Sequence, residues 1–192
     1  MRTRQPAYLW QPAYLWSALL AVALLVGGTG CGNRPGSAAA RDTDAEPAAS
    51  ADARAAEAEK SALAAYAGYL AAVRKAEQAG DPLDPQLRKY LADPLLTRVR
   101  LTIRDAKEHG AMRTGKLVSN PTVTAVDLDS DPATVSIQDC IDATGYRLVY
   151  KKDRKVVPGS TNGRHLATAT ATRYPDGRWL INVGASHEDQ PC

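Results

Sequence analysis

The residues in this chain that could do chemistry are few, and the two most conspicuous are adjacent. The stretch VSIQDCIDATG sets Asp139 and Cys140 in the middle of a run of strand-forming residues. Side chains alternate across a strand, so Val135, Ile137, Asp139 and Ile141 share one face, and Ser136, Gln138 and Cys140 share the other. Asp139 therefore falls on the apolar face, which must meet whatever covers the sheet. An acid there has two readings. It is a general base in a desolvated cavity, or it is a structural acceptor for backbone amides or for a neighbouring Arg147 or Arg178. Sequence leaves both open. Asp142, in the turn DATG, reads as an Asx-type turn residue.

Other chemical signals are weaker. His109, His165 and His187 show no ligand spacing, and no Cys-x-x-Cys motif or glycine-rich phosphate loop occurs, so neither a metal nor a cofactor is expected. No Ser-His-Asp or Cys-His set is evident. His109 is placed to meet a helix C-terminus, His165 opens a strand and is expected to be exposed, and His187 lies in a tail. Tyr66, Tyr69, Tyr150 and Trp179 are core residues, or else the lining of a cavity suited to an apolar or planar ligand. The run KKDRK (151–155) is a solvated link between strands, with contact to anionic lipid head groups as its rival.

The N-terminus reads as an address. Arg2 and Arg4 precede an apolar run, Ala18 to Val26, and small residues follow it. That is the order of a secretory signal, and the run is too short for a comfortable membrane span. A tandem QPAYLW puts Trp10 and Trp16 near the membrane interface. Gly28-Thr29-Gly30-Cys31 resembles a bacterial lipobox, with Gly28 where the motif prefers Leu. On this reading residues 1–30 are a lipoprotein signal peptide, and Cys31 is lipidated and anchors the chain at the extracytoplasmic face of the cell membrane. Residues 31–53 are rich in Ala, Gly, Ser, Pro and Asp and read as a flexible tether, with a reach of about 25 Å. In an exported domain the two remaining cysteines, Cys140 and Cys192, are expected to form a disulfide. The first acid comes after Arg2 and Arg4, so the body of the chain is close to neutral. That argues against nucleic-acid binding.

These candidates need elements to position them. Leu63, Tyr66, Leu70, Val73 and Ala76 form one stripe of a long helix that Gly80 can stop. Asp84-Pro85 and Asp93-Pro94 each read as a capping acid before a proline at a helix start. Leu95, Leu96, Val99, Ile103 and Ala106 form a second stripe, ended by His109-Gly110. From about Leu117 the period changes to that of strands, at 122–128, 133–141, 146–152, 165–174 and 178–184. Pro175-Asp176-Gly177 marks a hairpin. The expected class is α+β, with N-terminal helices packed on a curved antiparallel sheet.

This order, with AYAGYLAAV, DPLLTRVRLTI, VSIQDCIDATGYRLVY and GRHLATATATRYPDGRWLINV, resembles the NTF2-like (cystatin-like) superfamily. More narrowly, it is similar to small secreted lipoproteins of high-GC Gram-positive bacteria. The resemblance spans residues 60–192 and implies a cone of helices and sheet around a cavity. It implies little about activity. The expected function is a membrane-tethered domain, residues 54–192, that binds a partner protein or a small apolar ligand without catalysis. The alternatives are a cavity enzyme using Asp139, and an accessory subunit of an envelope complex that docks by its outer sheet face. Oligomeric state is left open.

Overall fold

A computed structural model describes residues 50–160 and 163–192. The signal segment, Cys31 and most of the tether lie outside the described residues. Helix α1 (Ala51–Ala79) starts where the Ser50 side chain accepts a hydrogen bond from the Ala53 amide, and it ends at Gly80 in the left-handed region. It therefore takes in the last three residues assigned to the tether. The alanines between its larger apolar residues are what let it lie close on the sheet: Ala58, Ala62, Ala65, Ala72 and Ala76 are buried beside Tyr66, and Leu63, Leu70 and Val73 pack against them.

Two shorter helices follow, α2 (Leu87–Tyr90) and α3 (Leu95–Glu108). Neither aspartate before the prolines is the N-cap expected of it: the cap positions fall to Gln86 and Pro94, and both prolines precede their helices. Asp84 accepts from the Gln86 amide, and Asp93 accepts from the amide and hydroxyl of Thr97. The α3 stripe buries Leu95, Leu96 and Ile103. His109 ends the helix with its ring on the Asp105 carbonyl. Among the described residues no helix is long and apolar enough to cross a membrane.

Among the described residues six strands form two antiparallel sheets. The larger has the order β2 (Pro121–Asp127), β3 (Thr134–Asp142), β5 (Arg164–Arg173) and β6 (Trp179–His187). The smaller pairs β1 (Ala111–Gly115) with β4 (Tyr146–Tyr150). The expected single curved sheet is thus two sheets, and they are not closed. Strand β1 was not foreseen, because AMRTG has no apolar alternation and gains its strand form from β4. Pairing with β1 takes β4 out of the main sheet, and β5 lies directly against β3. Gly115, the last residue of β1, has a φ of 98°, and a Cβ there would collide with the Gly145 carbonyl.

The inner face of the large sheet carries Val135, Ile137, Ala169, Ala171 and Ile181 into one core with α1, α2 and α3. Its outer face carries Thr122, Thr124, Ser136, Gln138, Thr168 and Thr170, with Val183 as the large apolar side chain exposed there. Cys140 reaches Cys192 in the expected disulfide. The tail is pinned a second time by the Leu166 amide donating to the Gln190 carbonyl.

The disulfide closes a separation of 52 residues, so a Cys140→Ser, Cys192→Ser double variant is expected to lose about 2–4 kcal/mol of stability by chemical denaturation. Gly115→Ala is expected to be destabilised more than Gly177→Ala. Both glycines have positive φ, but only Gly115 also meets backbone.

Candidate functional site

Asp139 is on the inner face as expected and is 1% exposed. Its carboxylate is taken up by three donors. Tyr66 Oη of α1 donates at 3.0 Å, Ser119 Oγ at 2.6 Å, and the Asn120 amide at 2.7 Å. Neither arginine considered for it is its partner: Arg147 is exposed, and Arg178 pairs with Asp176 at the β5–β6 turn. Burial, then the Asp139 charge and hydrogen bond, push the Tyr66 phenol well above its usual range, so it stays a neutral donor. Asp139 lines none of the clefts described below. Asp142 accepts from the Thr144 amide as an Asx turn does, and this bond holds its carboxyl below the usual range.

The four aromatic candidates are not brought together. Tyr66 and Tyr69 are neighbours on α1 with ring centroids 5.7 Å apart, and both line a cleft of about 490 Å³ between α1, α3 and the end of β6. Tyr150 lines a different cleft of about 330 Å³, beside Ile103, Leu148 and Val157. Trp179 packs against the core at the far end of β6. The four rings stand on α1, on β4 of the small sheet and on β6 of the large one.

The structure instead singles out Glu77, which lines both of those clefts and a third. The third, about 550 Å³, lies beside the C-terminal half of α1. Its apolar wall is Tyr69, Leu70, Val73, Leu117, Ile141 and Ala143, and its polar groups include Arg74, Glu77, Arg113, Tyr146, His165, Ser186 and Glu188. Tyr146 Oη donates to Glu77 Oε2 at 2.5 Å, and Arg113 Nε lies 3.6 Å from Glu77 Oε1. The Arg113 guanidinium also sits 5.6 Å from the Tyr146 ring centre. Register explains that contact. Tyr146 faces Gly115 and Leu148 faces Arg113 in the β1–β4 ladder, so Arg113 and Tyr146 are diagonal neighbours on one face.

Burial raises the Glu77 carboxyl above its ordinary value, although the Tyr146 bond and Arg113 oppose the shift. The same burial, with the Glu77 charge, raises the Tyr146 phenol. One signal for Glu77 was present in the sequence: it continues the spacing of Tyr66, Leu70 and Val73, which puts an acid on an apolar stripe. Tyr146 shares its strand face with Tyr150. Arg113 had no signal, because its strand had none.

His165 corrects a further expectation. It is 5% exposed, not solvent-facing, because it shares strand parity with the buried Ala167, Ala169 and Ala171. Its Nε2 lies 2.7 Å from Ser186 Oγ, and its Nδ1 lies 3.1 Å from the Gly163 carbonyl. His187 is the last residue of β6, not part of a loose tail, and meets the Thr168 hydroxyl. The run 151–155 is exposed. Among the described residues no group of His, Cys, Asp or Glu could hold a metal ion.

No family model and no curated protein matches the chain. Among solved structures it is similar to the intermembrane-space region of the chloroplast protein ARC6. The TM-score is 0.40 and the identity 12%, over 68% of this chain and 96% of that one. A likeness of that size carries no inference about activity.

Asp139→Ala leaves the Tyr66 hydroxyl and the Asn120 amide without their acceptor, and is expected to cost about 2–4 kcal/mol in chemical denaturation. Glu77 gives a pH signature. The folded chain holds the Glu77 proton to higher pH than the unfolded chain does, so stability falls as pH rises from the ordinary value of 4.5 through the raised one. Glu77→Gln is expected to remove that decline, and denaturation midpoints measured across the window will show whether it does.

Proposed function

We propose that this chain is a lipid-anchored extracytoplasmic binding protein. On this reading Cys31 tethers it to the cell membrane, and an α+β domain of the NTF2-like kind takes a small ligand, apolar along its body and polar at one end, into the cleft beside α1. The observation that carries the binding reading is the make-up of that cleft. An apolar wall of Leu70, Val73, Leu117 and Ile141 runs up to the Glu77–Tyr146–Arg113 cluster. Concave sites with a mostly apolar lining and a few placed polar groups are the usual form of small-molecule sites. The Cys140–Cys192 disulfide supports an oxidising compartment.

The rival readings draw less support. Docking of an envelope partner through the outer sheet face would favour a broad apolar patch there, and that face is mainly threonine, serine and glutamine. Acid–base catalysis by Asp139 needs an oxygen free to reach a substrate. Both of its oxygens already accept hydrogen bonds, and the residue is sealed in the core.

Two measurements test the proposal. Cell fractionation of a Cys31→Ser variant is expected to move the protein from the membrane to the soluble fraction; retention on membranes would defeat the lipid anchor. Native mass spectrometry of the same full-length variant with dodecanoate is expected to show a one-to-one adduct. Arg74→Ala, an exposed change at the cleft, should weaken that adduct by about threefold to tenfold. A chain that stays bare defeats the cleft as a site for such ligands.

A further inference from the structure

The same cleft holds a pair of side chains arranged for covalent chemistry. The Gly163 carbonyl can only accept, so the His165 Nδ1 that lies 3.1 Å from it carries the proton. In that tautomer Nε2 carries the lone pair. Ser186 Oγ, 2.7 Å from Nε2, must be the donor. A hydroxyl is thus aimed at a base, and the base is oriented by a third group, which is the arrangement that activates a serine. Exposure is divided in the useful way. His165 is buried at 5%, while Ser186 is open to solvent. The sheet holds the geometry: Ser186 lies opposite Ala167 on β5, and His165, two residues earlier, is its diagonal neighbour on the same face. Sequence could not show the pair, because the two residues belong to different strands and meet only through their register.

We propose that Ser186 and His165 are the nucleophile and general base of an acyl transfer that hydrolyses esters with an apolar acyl group. The class of acyl group follows from Leu70, Leu117 and Ile141, which line the cleft beside the pair. Ser186 Oγ bonds to the ester carbonyl carbon while its proton passes to His165 Nε2. The carbon–alkoxy bond breaks, and the leaving oxygen takes that proton and departs as the alcohol. Water then adds to the acyl-serine by the same route, releasing the carboxylic acid and restoring Ser186. The positively charged side chains that line the same cleft are Arg74 and Arg113.

The test uses the full chain and a fluorophosphonate probe, which bonds to an activated serine with loss of fluoride. Peptide mapping is expected to place the adduct on Ser186, at least about a hundredfold faster than on the exposed Ser130 of the same molecule. His165→Gln, checked for folding by circular dichroism, should slow the labelling of Ser186 by about a hundredfold or more. Ser186→Ala should abolish hydrolysis of p-nitrophenyl butyrate. Labelling of Ser186 no faster than that of Ser130, or undiminished in folded His165→Gln, overturns the proposal. The comparison with Ser130 decides the matter even where His165→Gln fails to fold. The binding reading stands apart from this outcome, because a cleft can hold dodecanoate without an activated serine.

Discussion

The arrangement of this domain depends on one buried carboxylate. Asp139 sits at the centre of the inner sheet face with 1% exposure, and three donors from two other parts of the chain converge on it. Removing a carboxylate from water is costly unless hydrogen bonds replace the lost hydration. The sequence supplies those bonds from Tyr66 on α1 and from Ser119 and Asn120 in the β1–β2 connection. The consequence is geometric. The Tyr66 bond helps set the rotation of α1 about its own axis, and the other two bonds hold the β1–β2 connection where it runs alongside the end of β3. Once α1 cannot rotate, Tyr69, Val73 and Glu77 must lie along the cleft, because they follow Tyr66 at helical spacing.

Glu77, half-buried on α1, is an acid satisfied differently. Asp139 has three short donors; Glu77 has one phenol and a guanidinium at 3.6 Å. Burial therefore outweighs its partners, and its carboxyl is raised above the ordinary value. The contrast separates two roles for acids on an apolar face. One is fully enclosed and holds elements together. The other lies where three clefts meet, on a rim that a ligand can reach.

Strand pairing decides the rest. If β4 had paired with β3, the chain would have made a simple meander. Its pairing with β1 instead brings Tyr146 and Arg113 to Glu77 and leaves β3 free for β5. The β3–β5–β6 order then places His165 and Ser186 side by side. It also leaves Cys140 on the outer face, where the C-terminal tail crosses back to it. One pairing choice, made by a five-residue strand, thus determines which polar groups share the cleft.

Sequence by itself determined the local features. The stripe of α1 and its stop at Gly80, the β5–β6 hairpin, the inward parity of Asp139 and the Cys140–Cys192 pair all follow from short-range periodicity or from simple counting. The periodic signals survive because they rest on neighbours a few residues apart, and the cysteine pair survives because it rests on a count. Only the tertiary structure decided what those elements do together. It withdrew Asp139 from any cleft, scattered Tyr150 and Trp179 away from Tyr66 and Tyr69, brought His165 beside Ser186, and assembled Glu77, Arg113 and Tyr146. The reason is that each of these outcomes depends on which strand lies beside which. That choice is made by long-range pairing and by the satisfaction of buried polar groups, and neither leaves a mark in the spacing of residues along the chain.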